Sequence, residues 1–376
     1  MLRLFSDASS RVDDPFFARA IQLAVRGAGS TWPNPSVGCV IVADGRIVGE
    51  GFHPRAGQPH AEVFALADAG EAARGADAYV TLEPCAHYGK TPPCAQALID
   101  AGVARVFIGM RDPHDIAAGG VELMRAAGLT VEFSENPDVF ASINSGWLKR
   151  LAVGTSMVRA KVGLTLDAKV AFDEGMRASI TGPDGRAVTR RLRRMADAVC
   201  VSAVTVIADD PALTVRDESG VLAETQPLRV VLVRTTLPPA DATVLTDGAA
   251  PTLILASDLA SDQDLADLDP SAGILRYSAE EGLASAWRAL AAHGVNELLV
   301  EPGPRLLTTM LAENAADELV VVSAGGMGGA DAPSLYLGGA DRDADALAPR
   351  FRPVEAGIVS DVSVTVWSAD TRSHVE

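Results

Sequence analysis

Between residues 60 and 94 the chain spaces four side chains whose chemistry belongs together: His60 and Glu62 in "HAEVFALADAG", Cys85 in "TLEPC", and Cys94 closing "YGKTPPC". Zinc favours thiolate and imidazole donors, and a catalytic zinc keeps three protein ligands with a fourth position for water. His60, Cys85 and Cys94 supply such a set only if a fold brings 35 residues of chain back on itself. Glu62, two residues further on in the first helical turn, is placed to lean over a metal-activated water and to move its protons, which suits hydrolytic deamination. Pro84 before Cys85, and Pro92-Pro93 before Cys94, predict both cysteines at or near helix N-termini, where the dipole and free amides favour thiolate. A structural zinc would want a fourth protein ligand, for which His53 and His87 are the candidates.

The chain has 376 residues, about half of them apolar, and suits two domains with substantial cores. Its net charge of −17 argues against a nucleic-acid partner, because phosphate neutralisation needs clustered Lys and Arg. Four scattered cysteines point to a reducing compartment, read as the cytoplasm, with Cys39 and Cys200 assigned to apolar strands. No apolar run reaches 18 residues, so no membrane partner is expected.

Element patterns alternate. Pro15 opens a helix to about residue 29, and "VGCVIVADGRIVGEGFH" holds two strands joined by Asp44-Gly45, a hairpin signal. A helix from about Ala61, strands at 78–82 and 105–110, and helices at 94–101 and 120–127 complete a layered α/β domain over residues 1–150. A second α/β domain over 151–376 opens with "SMVRAKVGLTLDAKVA" after the polar stretch "SENPDVFASINSGWLKR". It continues with a helix near 184–195, strands at "AVCVSA", "LRVVLVR" and "PTLILAS", an acidic loop "SDQDLADLDP" and a helix at 282–292. It closes on a strand, turn, helix and strand from Asn296 to Gly325.

In zinc-dependent base deaminases, H-x-E is followed by P-C-x-x-C, whereas eight residues separate the cysteines here. With that long loop, "TWPNPSVGCVIV", "GFHPRAGQPHAE" and "YVTLEPCAHYGKTPPC" resemble the deaminase half of the bifunctional riboflavin-biosynthesis deaminase/reductases. The resemblance implies a cytidine-deaminase-like three-layer domain in which His60, Cys85 and Cys94 bind zinc and Glu62 shuttles protons. It places Asn34, His53 and His87 in the substrate pocket. The implied substrate is a phosphorylated small molecule, 2,5-diamino-6-(5-phosphoribosylamino)pyrimidin-4-one, and a homo-oligomer is expected.

Downstream, "LTLDAKVA", "VIADDPALTVR" and "VEPGPRLLTTML" resemble the family's dihydrofolate-reductase-like domain, which reduces the ribosyl group to a ribityl chain with NADPH. The glycine turn after Glu301 opens a helix whose free amides suit a cofactor phosphate. By resemblance Gly163, Thr205, Asp209 and Gly303 meet NADPH, Arg193, Leu213, Arg216 and Glu301 meet substrate, and Asp167 and Lys161 lie near the reacting ribose. Arg177 and Ser179 stand where that family has a substrate serine and a cofactor-stacking tryptophan, and Arg234 where it has a cofactor-binding serine. "LTLDA" replaces Ser-Leu-Asp-Gly, and "DPHD" replaces Asp-Pro-Asn-Pro. These departures support an alternative expectation, a monofunctional deaminase whose C-terminal domain no longer reduces. A base deaminase acting on single-stranded nucleic acid is the third reading, opposed by the acidic charge and the long loop between the cysteines.

Overall fold

A computed structural model describes residue 4 and residues 7–87, 93–114, 119–170, 180–217, 219–268, 272–335 and 351–369. The chain divides into two compact units, Met1–Ala152 and Val153–Glu376.

The first unit is built on five strands, β1 (Gly38–Ala43), β2 (Arg46–Phe52), β3 (Asp77–Val80), β4 (Arg105–Ile108) and β5 (Thr130–Phe133), in the order β2-β1-β3-β4-β5. The β1–β2 and β1–β3 pairs are antiparallel, and β3–β4–β5 run parallel. Asp44 and Gly45, both at positive φ, make the expected tight turn between β1 and β2. Alternation along β1 sets the layers. Cys39 and Ile41 face one core with α2 (Ala61–Ala69), α3 (Cys94–Ala101) and α4 (Gly120–Ala126), while Val40 and Val42 face the other with α1 (Pro15–Val25) and α5 (Pro137–Ile143). Both faces of the sheet are therefore covered, giving a three-layer α/β unit.

Two features bear directly on the site. First, α2 lies against β2 with no room for side chains: a Cβ on Gly49 would stand 2.2 Å from Ala65 O, and one on Gly51 2.2 Å from Ala61 O. Second, α6 (Ser145–Val153) follows α5 through Asn144, a buried amide whose Oδ1 accepts from Ser36 N–H at 2.7 Å and whose Nδ2 donates to Ser36 O at 2.9 Å. The polar-looking stretch 134–150 is thus largely helical, its amphipathic faces set by Val139, Phe140, Ile143 and Trp147 in the core.

The second unit carries nine strands. In chain order they are β6 (Met157–Leu164), β7 (Ala198–Ser202), β8 (Leu228–Val233), β9 (Thr252–Ser257), β10 (Gly273–Tyr277), β11 (Glu297–Val300), β12 (Glu318–Ala324), β13 (Phe351–Val359) and β14 (Val362–Ala369). Their order is β10-β9-β8-β7-β11-β6-β12-β14-β13, parallel as far as β12 and closed by an antiparallel hairpin. The buried Arg159 on β6 donates to Glu318 on β12 at 2.6 Å, and the two residues are register partners, so an ion pair marks this parallel alignment. Its helices are α7 (Gly182–Met195), α8 (Ala203–Asp209), α9 (Thr243–Thr246), α10 (Asp262–Ala266), α11 (Gly282–Ala292) and α12 (Pro304–Ala312). The acidic segment expected as a loop contains α10, capped by Ser261 accepting from Asp264 N–H. Cys39 and Cys200 are fully buried strand residues. Arg177 and Ser179 lie outside the described residues.

Gly51→Ala should destabilise the first unit by about 1–3 kcal/mol by forcing α2 away from β2. Thermal unfolding together with zinc content checks this, and a loss in both is expected because α2 begins at His60 of the donor cluster.

Candidate active site

His60 caps α2 from an extended backbone, with ψ 169°, and Cys94 is the first residue of α3 after Pro93. Cys85 lies in an irregular segment after β3 and not at a helix start, so the expectation of two helix N-terminal cysteines holds for Cys94 alone. What fixes Cys85 is tertiary. A Cβ on Gly120 would lie 1.8 Å from Pro84 O, and the buried Glu83 accepts from Val121 N–H at 3.3 Å, so the start of α4 holds the Glu83–Cys85 backbone from below. The Cys94 N–H then points at Cys85 Sγ, 3.4 Å away.

His60 Nδ1 stands 3.2 Å from Cys94 Sγ and 3.7 Å from Cys85 Sγ, and the three ligand atoms all lie within 4.8 Å of one another. One imidazole nitrogen and two sulfurs at these spacings match a three-ligand zinc set. The Cys94 thiol and the His60 ring hold the Cys85 sulfur as thiolate, drawing its pKa down to about 4 against the opposing effect of burial. The Cys85 thiolate and burial together push the Cys94 thiol up. Glu62 is buried, and its Oε2 has no hydrogen-bond partner. Burial raises its pKa above the ordinary carboxylate range, with the neighbouring His60 pulling the other way. An unpartnered carboxylate oxygen beside a soft donor cluster is the arrangement expected where a metal and its water complete the site.

A cavity of about 350 Å³ opens over this cluster. The predicted pocket residues Asn34, His53 and His87 all line it. His53 Nδ1 bonds to Pro59 O at 3.1 Å, its Nε2 meets Asn34 Nδ2 at 3.1 Å, and its ring lies edge-on to His60 with centroids 5.3 Å apart. Burial holds the His53 imidazole toward its neutral form, so Nδ1 donates to the carbonyl and Nε2 accepts from Asn34. Asp112, His114, Trp147 and Arg150 also line the cavity and were not expected there. Trp147 and Arg150 sit three residues apart on α6, a signal hidden inside a segment that looks polar.

In the second unit a cavity of about 610 Å³ gathers the predicted Lys161, Gly163, Arg193, Arg216 and Glu301. Arg186 and Arg190 from α7 join them, so five cations and two carboxylates face it. Arg193 forms a bidentate pair with Glu301, Nε to Oε1 at 2.6 Å and Nη2 to Oε2 at 2.9 Å, and also donates to Thr214 O. Burial pushes the Glu301 carboxyl up, but Arg193, helped by Lys161, draws it below its ordinary value overall. Burial lowers the Lys161 ammonium pKa, against the pull of Glu301. Leu213 is buried at positive φ and does not line the cavity, although its neighbour Thr214 does.

Thr205, Asp209 and Gly303 fall away from that cavity's lining. Gly303 caps α12 without a side-chain bond, and a Cβ placed on it would lie 3.7 Å from Thr205 Oγ1. The first turn of α12 and the Ser202-capped start of α8 thus meet at Thr205, a polar cradle fit for a cofactor phosphate. Asp209 is exposed near the C-terminal end of α8, and Arg234 is exposed just after β8. Asp167 does not line the cavity either. Its carboxylate accepts from Thr165 Oγ1 at 2.6 Å and from the Gly328 and Gly329 amides at 2.9 and 2.8 Å, which hold its pKa down to about 2. It is a fixed anion that clips the 326–329 loop to the end of β6.

Fold and site define an enzyme of two parts, a deaminase with a zinc-type donor cluster followed by an α/β unit with a cationic cavity. Residues 10–110 match the cytidine and deoxycytidylate deaminase zinc-binding region, and residues 156–358 match the RibD C-terminal domain. The riboflavin biosynthesis protein RibD of Escherichia coli is 40% identical over 90% of this chain and 95% of its own length, and that of Haemophilus influenzae 41% over 83% and 86%. The crystal structure of Acinetobacter baumannii RibD superposes with a TM-score of 0.84 at 37% identity, covering 97% of this chain and 99% of that one. A diaminohydroxyphosphoribosylaminopyrimidine deaminase/5-amino-6-(5-phosphoribosylamino)uracil reductase from Thermotoga maritima gives 0.81 at 30% identity, covering 96% and 99%. The chain belongs to the RibD family of bifunctional riboflavin-biosynthesis deaminase/reductases. With both domains matched, the alternative of a monofunctional deaminase is not supported.

Because the folded pKa of Asp167 lies below its unfolded value of 3.8, its stabilisation is complete above about pH 4 and is lost as pH falls toward about 2. Asp167→Asn should therefore speed hydrogen exchange at the Gly328 and Gly329 amides at neutral pH, and the difference from wild type should close across that acidic window.

Proposed function

We propose that residues 1–150 deaminate 2,5-diamino-6-(5-phosphoribosylamino)pyrimidin-4-one and that residues 151–376 reduce the ribosyl group of the product to a ribityl chain. The observation that carries the first half is Glu62 Oε2, buried and without a protein partner at the head of α2 beside His60, Cys85 and Cys94. His60 Nδ1 and the sulfurs of Cys85 and Cys94 would hold zinc, which would supply a water acidified to a pKa of about 7. Glu62 accepts that water's proton at Oε2, because burial has raised the carboxylate's proton affinity. It then delivers protons to the ring nitrogen and to the departing amine, so that the water oxygen remains on the ring carbon as a carbonyl, the carbon–nitrogen bond breaks and the amino group leaves as ammonia. His53 fixes the Asn34 amide through Nδ2, leaving Asn34 Oδ1 as an acceptor for the substrate's polar edge.

In the reductase half, bound NADPH would supply the hydride for reduction of the ribose carbon attached to nitrogen. The amides opening α12, with Thr205 beside them, are suited to hold a cofactor phosphate. Lys161 and Glu301 face the cavity together, and Arg193 keeps the Glu301 carboxylate ionised and oriented against the base of α7. Arg216, also lining the cavity, gives an anionic substrate a planar donor.

We also read the protein as cytoplasmic and homo-oligomeric. Its four cysteines are free thiols, which suits a reducing compartment, and no described helix is long and apolar enough to cross a membrane. Among the described residues β13 is the outer strand of the sheet and leaves Ile358 exposed, the kind of surface through which copies of a chain associate.

A coupled assay tests the reading: ammonia release on adding the diaminopyrimidine substrate, then loss of reduced-nicotinamide absorbance on adding NADPH. Both signals are expected. Glu62→Gln should retain zinc while ammonia release falls by about 100-fold or more, and NADPH oxidation on separately supplied deaminated substrate should continue. A zinc-loaded wild type that releases no ammonia would refute the first assignment, and ammonia without NADPH oxidation the second.

A further inference from the structure

We infer that Arg150 grips the 5′-phosphate of the substrate during the deamination step and so makes that step selective for the phosphorylated pyrimidine. The inference rests on the deaminase reading above. Its starting point is charge: Glu62, Glu83 and Asp112 all line the cavity over the metal-type cluster, and a phosphate ester arriving there brings about two further negative charges. Among the described lining residues Arg150 is the one Lys or Arg. An arginine has the planar, permanently charged fork that pairs with phosphate oxygens two at a time.

Its position matches the geometry of the substrate, whose reacting ring carbon and phosphate are at opposite ends. One wall of the cavity can be followed residue by residue away from the metal-type cluster. The His60 ring packs edge-on against His53, His53 Nε2 meets Asn34 Nδ2 at 3.1 Å, Asn34 follows Pro33, and Pro33 O accepts from Arg150 Nη2 at 2.8 Å. Arg150 is therefore the last member of a contact chain along the cavity lining that begins at His60. It is also pre-organised. The Pro33 carbonyl orients the guanidinium, the buried Asn144 amide clamps Ser36 three residues further on, and Trp147, one turn earlier on α6, is packed into the core while also lining the cavity. A cation held by these contacts loses little side-chain freedom when the phosphate docks.

The test compares the zinc-loaded full-length wild type with Arg150→Gln, measuring kcat/KM for ammonia release on the 5′-phosphorylated substrate and on its dephosphorylated counterpart. Zinc content and thermal unfolding show that the variant is folded. The wild-type preference for the phosphorylated substrate should shrink by about 10- to 100-fold in Arg150→Gln, the size of one lost charge-assisted contact, and the loss should lie in KM and not kcat. Arg150→Lys should recover part of the preference. Ribose 5-phosphate, used as a probe of the phosphate end alone, should inhibit the wild type more strongly than Arg150→Gln by a similar factor. An unchanged preference, or an equal loss on both substrates, overturns the inference, since Arg150 would then only brace Pro33. A wild type that releases no ammonia from either substrate overturns the deaminase reading itself, and this inference with it.

Discussion

The close seating of α2 on β2 is the constraint from which the deaminase unit follows. With only glycine hydrogens at residues 49 and 51 between strand and helix, the axis and the start of α2 are fixed against the sheet to within the tolerance of backbone packing. That start is His60, and the first turn carries Glu62 into the same cavity. Fixing α2 does not complete the site, because the two sulfurs come from elsewhere. Gly120 against Pro84 and Glu83 on Val121 hold the Cys85 segment, while the first turn of α3 presents Cys94. Three independent packing contacts thus converge on one donor cluster, so an error of an ångström in any of them would separate ligands that need to lie within bonding reach of a single ion.

The electrostatics follow from burial. A carboxylate without a partner in an apolar interior is costly, and Glu62 is tolerated where His60 lies beside it and a charged metal completes the surroundings. The same desolvation that raises its proton affinity is what a proton shuttle requires. In the reductase half the opposite solution appears, with the half-buried Glu301 paired by both arms of Arg193, so that its charge is retained. One buried carboxylate is left short of partners to exchange protons, and the other is saturated to stay an anion.

Much of this was legible in the sequence, for identifiable reasons. The His60, Glu62, Cys85 and Cys94 spacing is a chemical pattern that survives without any knowledge of packing, and the Asp44-Gly45 turn, the Pro15 helix start and the helix opening at the Gly303 turn are local rules. What was missed depends on distant partners. Asn144 reads as a polar residue in a linker until Ser36, 108 positions away, is seen to satisfy its whole amide, and only then do α5 and α6 make sense. The outer hairpin β13–β14 escaped because an edge strand with a register shift near Pro353 alternates poorly. Cys85 lacks the helix start that its preceding proline suggested, because tertiary contacts through Gly120 and Glu83 hold it in place of a helix. Arg193 was assigned to substrate from family likeness, and the structure adds that Glu301 and Thr214 already occupy much of its fork.

The two cavities also divide the work of recognising one phosphate in a chain whose net charge repels it. A cavity built around a divalent cation and a proton-accepting carboxylate cannot be lined freely with arginines, since each additional positive charge would oppose metal binding and lower the proton affinity of Glu62. Among the described lining residues a single Lys or Arg, Arg150, held by the Pro33 carbonyl, satisfies both demands. The reductase cavity has no metal to protect and is lined by five cations, with Arg193 neutralised by Glu301 and Arg186, Arg190 and Arg216 added around it. Sparse positive charge in the first cavity and dense positive charge in the second are consequences of the chemistry each must perform on the same phosphorylated molecule.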